Sequence, residues 1–299
     1  MTLLASQPSS SAPATETAPA YRLGLIGAGI SQSRSPALHE TEAAAQGISC
    51  RYELIDLDQR GVGVEGLADV LGEVEGQGFS GVNITLPCKQ AVIPLLHELS
   101  PEAQVIGAVN TVRLDAGRRI GYNTDARGFA SSFRHGLPGV ALQHVLQFGA
   151  GGAGAATAFA LLELGVRELT IVDVTHERAQ ALADTLASRF AGQTVRAVQA
   201  ADTAAASADG IVNSTPLGTR KYPGSAMPLH WLRPEMWVAE VVYAPLETVL
   251  LGAARAMGCR TLSGASMLVF QAAGAFELFT GRAAQPDRMM QHFRQLSDA

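Results

Sequence analysis

The stretch "LQHVLQFGAGGAGAATAFALLELGVRELTIVDV" constrains the fold of this chain more than any other. An apolar run leads into Gly149, Gly151 and Gly154, spaced G-x-G-x-x-G, and a helical pattern follows. A second apolar strand then ends at Asp173. Strand, glycine turn, helix and strand in that order form a parallel βαβ unit of the dinucleotide-binding kind. The first glycine permits the tight turn, the second lets backbone approach a pyrophosphate, and the third lets helix pack close on strand. The start of the helix supplies unpaired N–H groups and a partial positive charge for phosphates. Asp173 stands about 20 residues further on, where an acidic residue accepts from the adenosine ribose diol. A carboxylate there also repels a 2′-phosphate, so NAD is expected over NADP. Arg178 is the residue that could still admit some NADP.

The rest of the chain is organised around a second unit of similar kind. Its 299 residues suggest about two domains. "YRLGLIG", "CRYELIDLD" and "FSGVNITLP" read as strands, separated by helical "SPALHETEAAAQG" and "GVEGLADVLGEVEGQG". This is βαβαβ order, hence a mostly parallel sheet. Ser35 is expected to cap the first helix, with Pro36 at its first position. "KQAVIPLLHELSPEAQVIG" reads as helical with a proline break, and "AVNTVRLDAGRRIGYNTD" as two strands turning at Gly117. Later strands are "VRAVQA", "GIVNSTP", "MWVAEVVY" and "CRTLSG". Two helical stretches, 265–281 and 286–297, close the chain, and polar Gln271 interrupts the first of them. That polar residue in an apolar helix suggests a return to the first domain. The expectation is therefore an α/β protein of two domains. Residues 21–124 with 265–299 would form a mostly parallel αβ substrate-binding domain, and 125–264 a Rossmann-type dinucleotide-binding domain. Residues 1–20, rich in Ser, Ala, Pro and Thr, are expected to be a disordered tail rather than a signal peptide.

Composition excludes several function classes. The net charge is -5, which argues against the basic stripe of a nucleic-acid binder. No stretch reaches the ~18 uncharged apolar residues of a membrane span. Cys50, Cys88 and Cys259 are scattered and odd in number, which fits small buried hydrophobes in a reducing compartment. A soluble, cytoplasmic protein is expected. The seven histidines show no metal-ligand spacing, so no metal site is expected, and His39 reads as structural.

Six polar residues stand at element ends: Ser33, Ser35, Thr85, Lys89, Asn110 and Asp125. In open αβ sheets such ends face the ligand crevice. Hydroxyls and amides beside Ser33 and Ser35 suit a carboxylate. The whole set suits a small, hydroxyl-rich acid. Lys89 and Asp125 are the candidates for chemistry. Oxidising an alcohol sends a hydride to a nicotinamide and a proton to a base. A base works best near the operating pH, and an ordinary lysine amine, at about 10.4, is too basic unless burial lowers it. A neighbouring aspartate pulls the other way, so its plausible task is to fix the lysine and share the hydroxyl's hydrogen bonds. A surface ion pair is the ordinary alternative.

These pieces together resemble the shikimate dehydrogenase family over nearly the whole chain after the tail. The matching stretches are "SQSRSPALH", "GVNITLPCK", "GAVNT", "GYNTDARG", "GAGGAG", "NSTPLG", "VVYAPLETVLL" and "GASMLVFQAAGAFELFTG". The resemblance implies an oxidoreductase of two αβ domains with substrate in the cleft between them. It implies that Ser33 and Ser35 bind the substrate carboxylate. Thr85, Asn110 and Gln271 would bind ring hydroxyls or the carboxylate, with Tyr243 nearby, and Lys89 and Asp125 would be the catalytic pair. It also implies cofactor contacts at Gly149, Ala150, Gly151, Gly152, Ala153, Gly154, Asp173, Thr215, Val241 and Gly264.

Departures from the family pattern narrow the reading. Members that use NADP carry "NRT" after the second nucleotide strand, whereas this chain has Asp173, Val174 and Thr175. Cys88 replaces the usual Phe or Tyr, Glu240 stands where Asp is common, and Thr219 where Met commonly follows "PLG". The Asp173 pattern, "SRSPALHE" and "PLETVLLGAARAMGC" look like the NAD-dependent quinate/shikimate dehydrogenase branch. That branch serves quinate catabolism, while the family at large serves aromatic amino acid biosynthesis. The implied partner is a polyhydroxylated cyclohexane or cyclohexene carboxylate, with no nucleic acid and no membrane, on a monomer or homodimer. Two other readings stand beside it: a dehydrogenase of a related ring acid such as aminoshikimate, and a catalytically silent nucleotide-binding regulator.

Overall fold

Two six-stranded sheets organise the computed structural model, which describes residues 20–298. The tail expected over 1–20 lies outside the described residues, Ala20 excepted. The first sheet holds β1 (Tyr21–Gly27), β2 (Cys50–Asp56), β3 (Gly81–Ile84), β4 (Glu98–Leu99), β5 (Thr111–Asp115) and β6 (Arg118–Tyr122). Their spatial order is β2-β1-β3-β5-β6-β4. β1 runs parallel to both β2 and β3, while β5 and β6 form an antiparallel hairpin. Ala116 and Gly117 turn that hairpin with φ of 48° and 78°.

The second sheet holds β7 (His144–Phe148), β8 (Glu168–Val172), β9 (Thr194–Ala197), β10 (Gly210–Asn213), β11 (Trp237–Glu240) and β12 (Arg260–Leu262). Its order is β12-β11-β10-β7-β8-β9, with every pair parallel. The order reverses between β7 and β10, and ligands bind at such a switch point in open α/β sheets.

The helix Thr124–Gly136 joins the two sheets. It packs against helix Gly152–Glu163 on one side and helix Gly264–Thr280 on the other. Helix Gly152–Glu163 is buried almost all round, so its sequence is alanine and leucine rather than amphipathic. Phe129 and Phe133 fill the seam, and the Phe133 ring meets Trp237 edge-on at 4.9 Å. Each such side chain contributes about 1.5–3 kcal/mol by leaving water. The last helices, Gly264–Thr280 and Pro286–Asp298, pack back on the first sheet's side, touching β1, β5 and the helix Ser35–Ala45.

Gly128 decides where helix Gly264–Thr280 can lie. A Cβ there would sit 2.7 Å from the Gln271 backbone N and 2.8 Å from its Cβ. Only hydrogen at this position lets the two helices approach closely enough to bring Gln271 beside Asp125's helix.

One local expectation differs from the structure. The stretch 89–107 is not one broken helix. It contains the helix Cys88–Ala91, a short turn Ile93–Leu95, the two-residue strand β4, and the helix Pro101–Ile106. Pro94 denies the helical ladder a donor, β4 takes its pairing from β6 instead, and Pro101 opens a new helix that Ser100 caps. Among the described residues no helix is long and apolar enough to cross a membrane.

Candidate active site

β3 stops at Ile84, and Thr85, Leu86 and Pro87 carry the chain away from the sheet through a cis Leu86–Pro87 bond. The Thr85 N–H still donates to Ile26 O, and the Cys88 N–H to Thr85 O, so the helix Cys88–Ala91 starts at once. Cys88 is fully buried beneath this turn, while the Lys89 side chain keeps 19% exposure. Its ammonium donates to Asp125 Oδ2 at 2.6 Å. Asp125 lies in the first turn of helix Thr124–Gly136, which Asn123 caps by accepting from the Ala126 N–H. The other carboxylate oxygen, Oδ1, accepts from Asn110 Nδ2 at 2.9 Å. A buried carboxylate is tolerable only with such partners, and charge-assisted ones are the strong kind.

Asn110 is 3% exposed and tightly held. Its Oδ1 accepts from the Thr124 N–H at 2.7 Å and from Thr111 Oγ1 at 3.0 Å. Gln271 Oε1 lies 3.4 Å from both Asn110 Nδ2 and Thr124 Oγ1. Four of the expected residues, Lys89, Asp125, Asn110 and Gln271, are thus one hydrogen-bonded cluster drawn from three helices and the residue that precedes β5.

Ser33 and Ser35 form a second small group. The Ser33 hydroxyl donates to Ser35 Oγ at 3.2 Å and accepts from the Ser35 N–H at 3.2 Å. The expected capping role of Ser35 is corrected: the helix begins at Ser35 itself, and its cap is Arg34, whose side chain makes no capping bond. Pro36 offers no N–H, and it is Ser33 that accepts from the chain here. The turn carrying both serines is held by buried Asp56, which accepts from the Gly29 and Ile30 N–H groups.

A buried column links the serines to the cluster. His39 stacks on Tyr52 with ring centroids 4.7 Å apart. The Tyr52 hydroxyl donates to Asn83 Oδ1 at 2.8 Å. Asn83 donates in turn to Asn110 O and Thr111 Oγ1. Burial lowers the His39 imidazole to about 3, so it is neutral. Burial pushes the Tyr52 phenol well up, with a hydrogen bond to Ser35 opposing it. Tyr52, Asn83, Thr111 and Asp56 were not among the expected site residues. Asn83 carried a signal, a polar residue inside a strand buried at every position.

The glycine turn faces this cluster. Gly149 takes φ of 100°, and its N–H donates to Val172 O. A Cβ on Gly154 would lie 2.2 Å from Gly149 O. Fully buried Gln147 holds the turn from beneath, donating to Gly149 O at 2.9 Å and Gly154 O at 2.8 Å while Thr157 donates to its own Oε1. The turn's outer side is open: nothing lies within 4 Å of a Cβ placed on Gly151. No side chain caps the helix Gly152–Glu163, so its first N–H groups are free for a ligand. Asp173 Oδ2 accepts from the Ala150 N–H at 2.7 Å, and Oδ1 accepts from the Thr175 N–H at 2.9 Å. Arg178 approaches Oδ1 at 3.6 Å. An open backbone cradle, an uncapped helix start and a carboxylate at the next strand end fit a dinucleotide.

The two halves meet at Gly152, where a Cβ would stand 3.4 Å from Lys89 Cδ and 3.6 Å from Ala108 Cβ. Ala153 follows in the same helix turn. Thr215, Val241 and Gly264 stand just past the ends of β10, β11 and β12, and Tyr243 follows Val241 with 37% exposure. Thr219 donates to Pro216 O and stays within its own loop. A cavity of about 530 Å³ lies elsewhere, beside Arg127, Arg134, Phe159 and Phe270, and is lined by none of these residues.

A glycine turn that fits a dinucleotide, set against a lysine–aspartate pair, is the arrangement of a nucleotide-dependent oxidoreductase. Comparison with known proteins gives the family. Residues 25–112 match the shikimate dehydrogenase substrate binding domain, and residues 264–292 match the shikimate 5'-dehydrogenase C-terminal domain. The shikimate dehydrogenase (NADP(+)) of Streptomyces avermitilis is 51% identical, over 94% of this chain and 97% of its own. The quinate/shikimate dehydrogenase (NAD(+)) of Corynebacterium efficiens is 47% identical, over 92% of this chain and 98% of its own. The structure of quinate dehydrogenase from Corynebacterium glutamicum in complex with NAD superposes with a TM-score of 0.86 at 45% identity, covering 92% of this chain and 99% of that one. The chain belongs to the shikimate dehydrogenase family.

Proposed function

We propose that this protein interconverts quinate or shikimate with the corresponding 3-dehydro ketone, with NAD as the preferred hydride acceptor. The observation that carries the reading is the Lys89–Asp125 pair at 2.6 Å, facing Gly152 of the glycine turn. A bound nicotinamide supplies the acceptor for the hydride. The chain's own residues must then take the proton that the ring hydroxyl releases. Lys89 is the group placed to receive it, as the neutral amine left once its ammonium has given up a proton to solvent, and Asp125 orients that amine while its second oxygen stays fixed by Asn110. Ser33 and Ser35 hold the carboxylate of the ring acid, and Thr85, Asn110, Gln271 and Tyr243 surround the ring. Residues 21–124 with 265–299 serve as the substrate domain and 125–264 as the dinucleotide domain. All three cysteines are free, which suits a reducing cytoplasm.

NAD preference rests on Asp173, whose carboxylate stands at the end of β8 where a 2′-phosphate would have to sit. Relatives of similar identity carry names with either dinucleotide, and Arg178 beside Asp173 is the cation that a 2′-phosphate would meet. A steady-state panel of quinate and shikimate against NAD and NADP tests the reading. Turnover of neither acid with either dinucleotide would remove it, and equal or better kcat/KM with NADP would remove the NAD preference.

A further inference from the structure

Glu240 ends β11 with its side chain almost completely buried, at 2% exposure, and no role in the reaction above. Its carboxylate gathers donors from two different loops. Asn213 Nδ2, at the end of β10, donates to Oε1 at 2.9 Å and to Oε2 at 3.1 Å. The Val242 N–H donates to Oε1 at 3.0 Å, and Thr248 Oγ1 donates to Oε2 at 3.0 Å. Asn213 is itself the hub of the loop after β10. Its Nδ2 donates to Leu217 O, and its Oδ1 accepts from both the N–H and the hydroxyl of Thr215. Thr248 in turn caps the helix Val249–Met257 by accepting from the Leu251 N–H. One carboxylate therefore ties the 213–217 loop to the 241–248 loop.

These loops carry Thr215, Val241 and Tyr243, on the β10–β11 side of the switch point and away from Asp173 on β8. With the adenosine ribose at Asp173, a dinucleotide crossing the switch point brings its other half to this side. We propose that Glu240 is a positioning residue for the nicotinamide half of the dinucleotide, locking together the two strand-end loops that wall it. This rests on the dinucleotide reading above. A glutamine would keep the volume but turn a donor toward Asn213 Nδ2 or the Val242 N–H, and so release one of the loops.

The test separates the two halves of the ligand. NADH contains both; ADP-ribose lacks the nicotinamide. Binding of each is measured at pH 8 by NADH fluorescence and calorimetry, on wild type and Glu240→Gln. NADH should bind the variant about tenfold more weakly or worse, the loss of one hydrogen bond to a charged group, while ADP-ribose stays within about twofold. In steady state the dinucleotide KM should rise and the KM for the ring acid should not. Equal weakening of both ligands, or no weakening of NADH, overturns the role. If Glu240→Gln does not fold, Thr248→Ala removes one donor and keeps the carboxylate, and a wild-type ratio of NADH to ADP-ribose affinity in that variant overturns it too. Wild type that binds neither ligand overturns the dinucleotide reading together with this one; wild type that binds both, with an indifferent Glu240→Gln, overturns this one alone.

Discussion

Lys89 Nζ and Asp125 Oδ2 stand 2.6 Å apart although 36 residues separate them in the chain. The lysine is delivered by the chain leaving β3, and the aspartate by the first turn of the helix that joins the two sheets. With side chains only 19% and 9% exposed, the pair is shielded from water, unlike a surface ion pair. Lys89 also stands against Gly152 of the glycine turn, where the proposed reaction needs a proton acceptor.

Replacing Lys89 by alanine should lower kcat by about 10²–10⁴, the usual worth of general acid–base help. Binding of NADH, followed by fluorescence, should change little because the proposed phosphate site is the glycine turn. Asp125→Asn should cost less, since the amide keeps a hydrogen bond. The double variant should be less than multiplicatively worse if the two act as a unit. A Lys89→Ala enzyme with near-normal kcat at saturating quinate or shikimate would show that the proton leaves by another route.

Asp173 combines an observed contact with a proposed one. Its carboxylate holds the Ala150 N–H of the glycine turn and stands where the ribose diol is expected. Asp173→Ala should therefore narrow the ratio of kcat/KM between NAD and NADP. It should also weaken both dinucleotides, because the Ala150 N–H loses its acceptor at a cost of about 1–3 kcal/mol. An unchanged ratio would assign discrimination to another residue.

Gly128→Ala should act on the substrate side without touching the cofactor. The added methyl meets the Gln271 backbone at 2.7 Å, so one helix must shift. Overpacking of this kind costs about 1–3 kcal/mol. The expected result is a lower Tm and a raised KM for the ring acid, with the dinucleotide KM close to wild type. An unaltered Tm would mean that the helix pair yields freely.

His39 predicts a pH dependence of stability. Burial holds its imidazole at about 3, below its ordinary 6.5. The unfolded chain therefore binds a proton that the native state refuses. The contribution is complete above pH 6.5 and is lost as pH falls towards 3, by several kcal/mol in order of magnitude. Denaturant unfolding of wild type and His39→Phe between pH 4 and 8 should show a smaller loss on acidification in the variant. Parallel curves would mean that His39 takes up its proton in the folded state.

Short-range patterns carried most of the architecture. Strand, glycine turn and helix are contiguous, so the geometry of residues 144–172 follows from steric rules that act over a few residues. The same holds for Lys89, since Pro87 ends a strand wherever it stands. Where local signals competed, the reading failed. Ser35 carries a capping residue type next to Pro36, yet the helix starts at Ser35 and the acceptor at its start is Ser33. The stretch 89–107 has helical spacing, yet Glu98 and Leu99 pair with β6, because a sheet edge offered backbone partners that proline had denied.

The sequence by itself determined which residue types reach the ends of strands, and with them a dinucleotide turn, a lysine, an aspartate and a set of hydroxyls. Tertiary structure alone decided who holds whom. Asn110 and Asp125, Tyr52 and Asn83, Gln147 and Gly154, Glu240 and Thr248 are pairs whose members sit on different elements or at turns. Such contacts depend on how helices and sheets pack, which is set by side-chain volume over the whole core and by close approaches such as the one at Gly128. No window of neighbouring residues contains that information, because burial makes a polar group seek the partner nearest in space rather than in sequence.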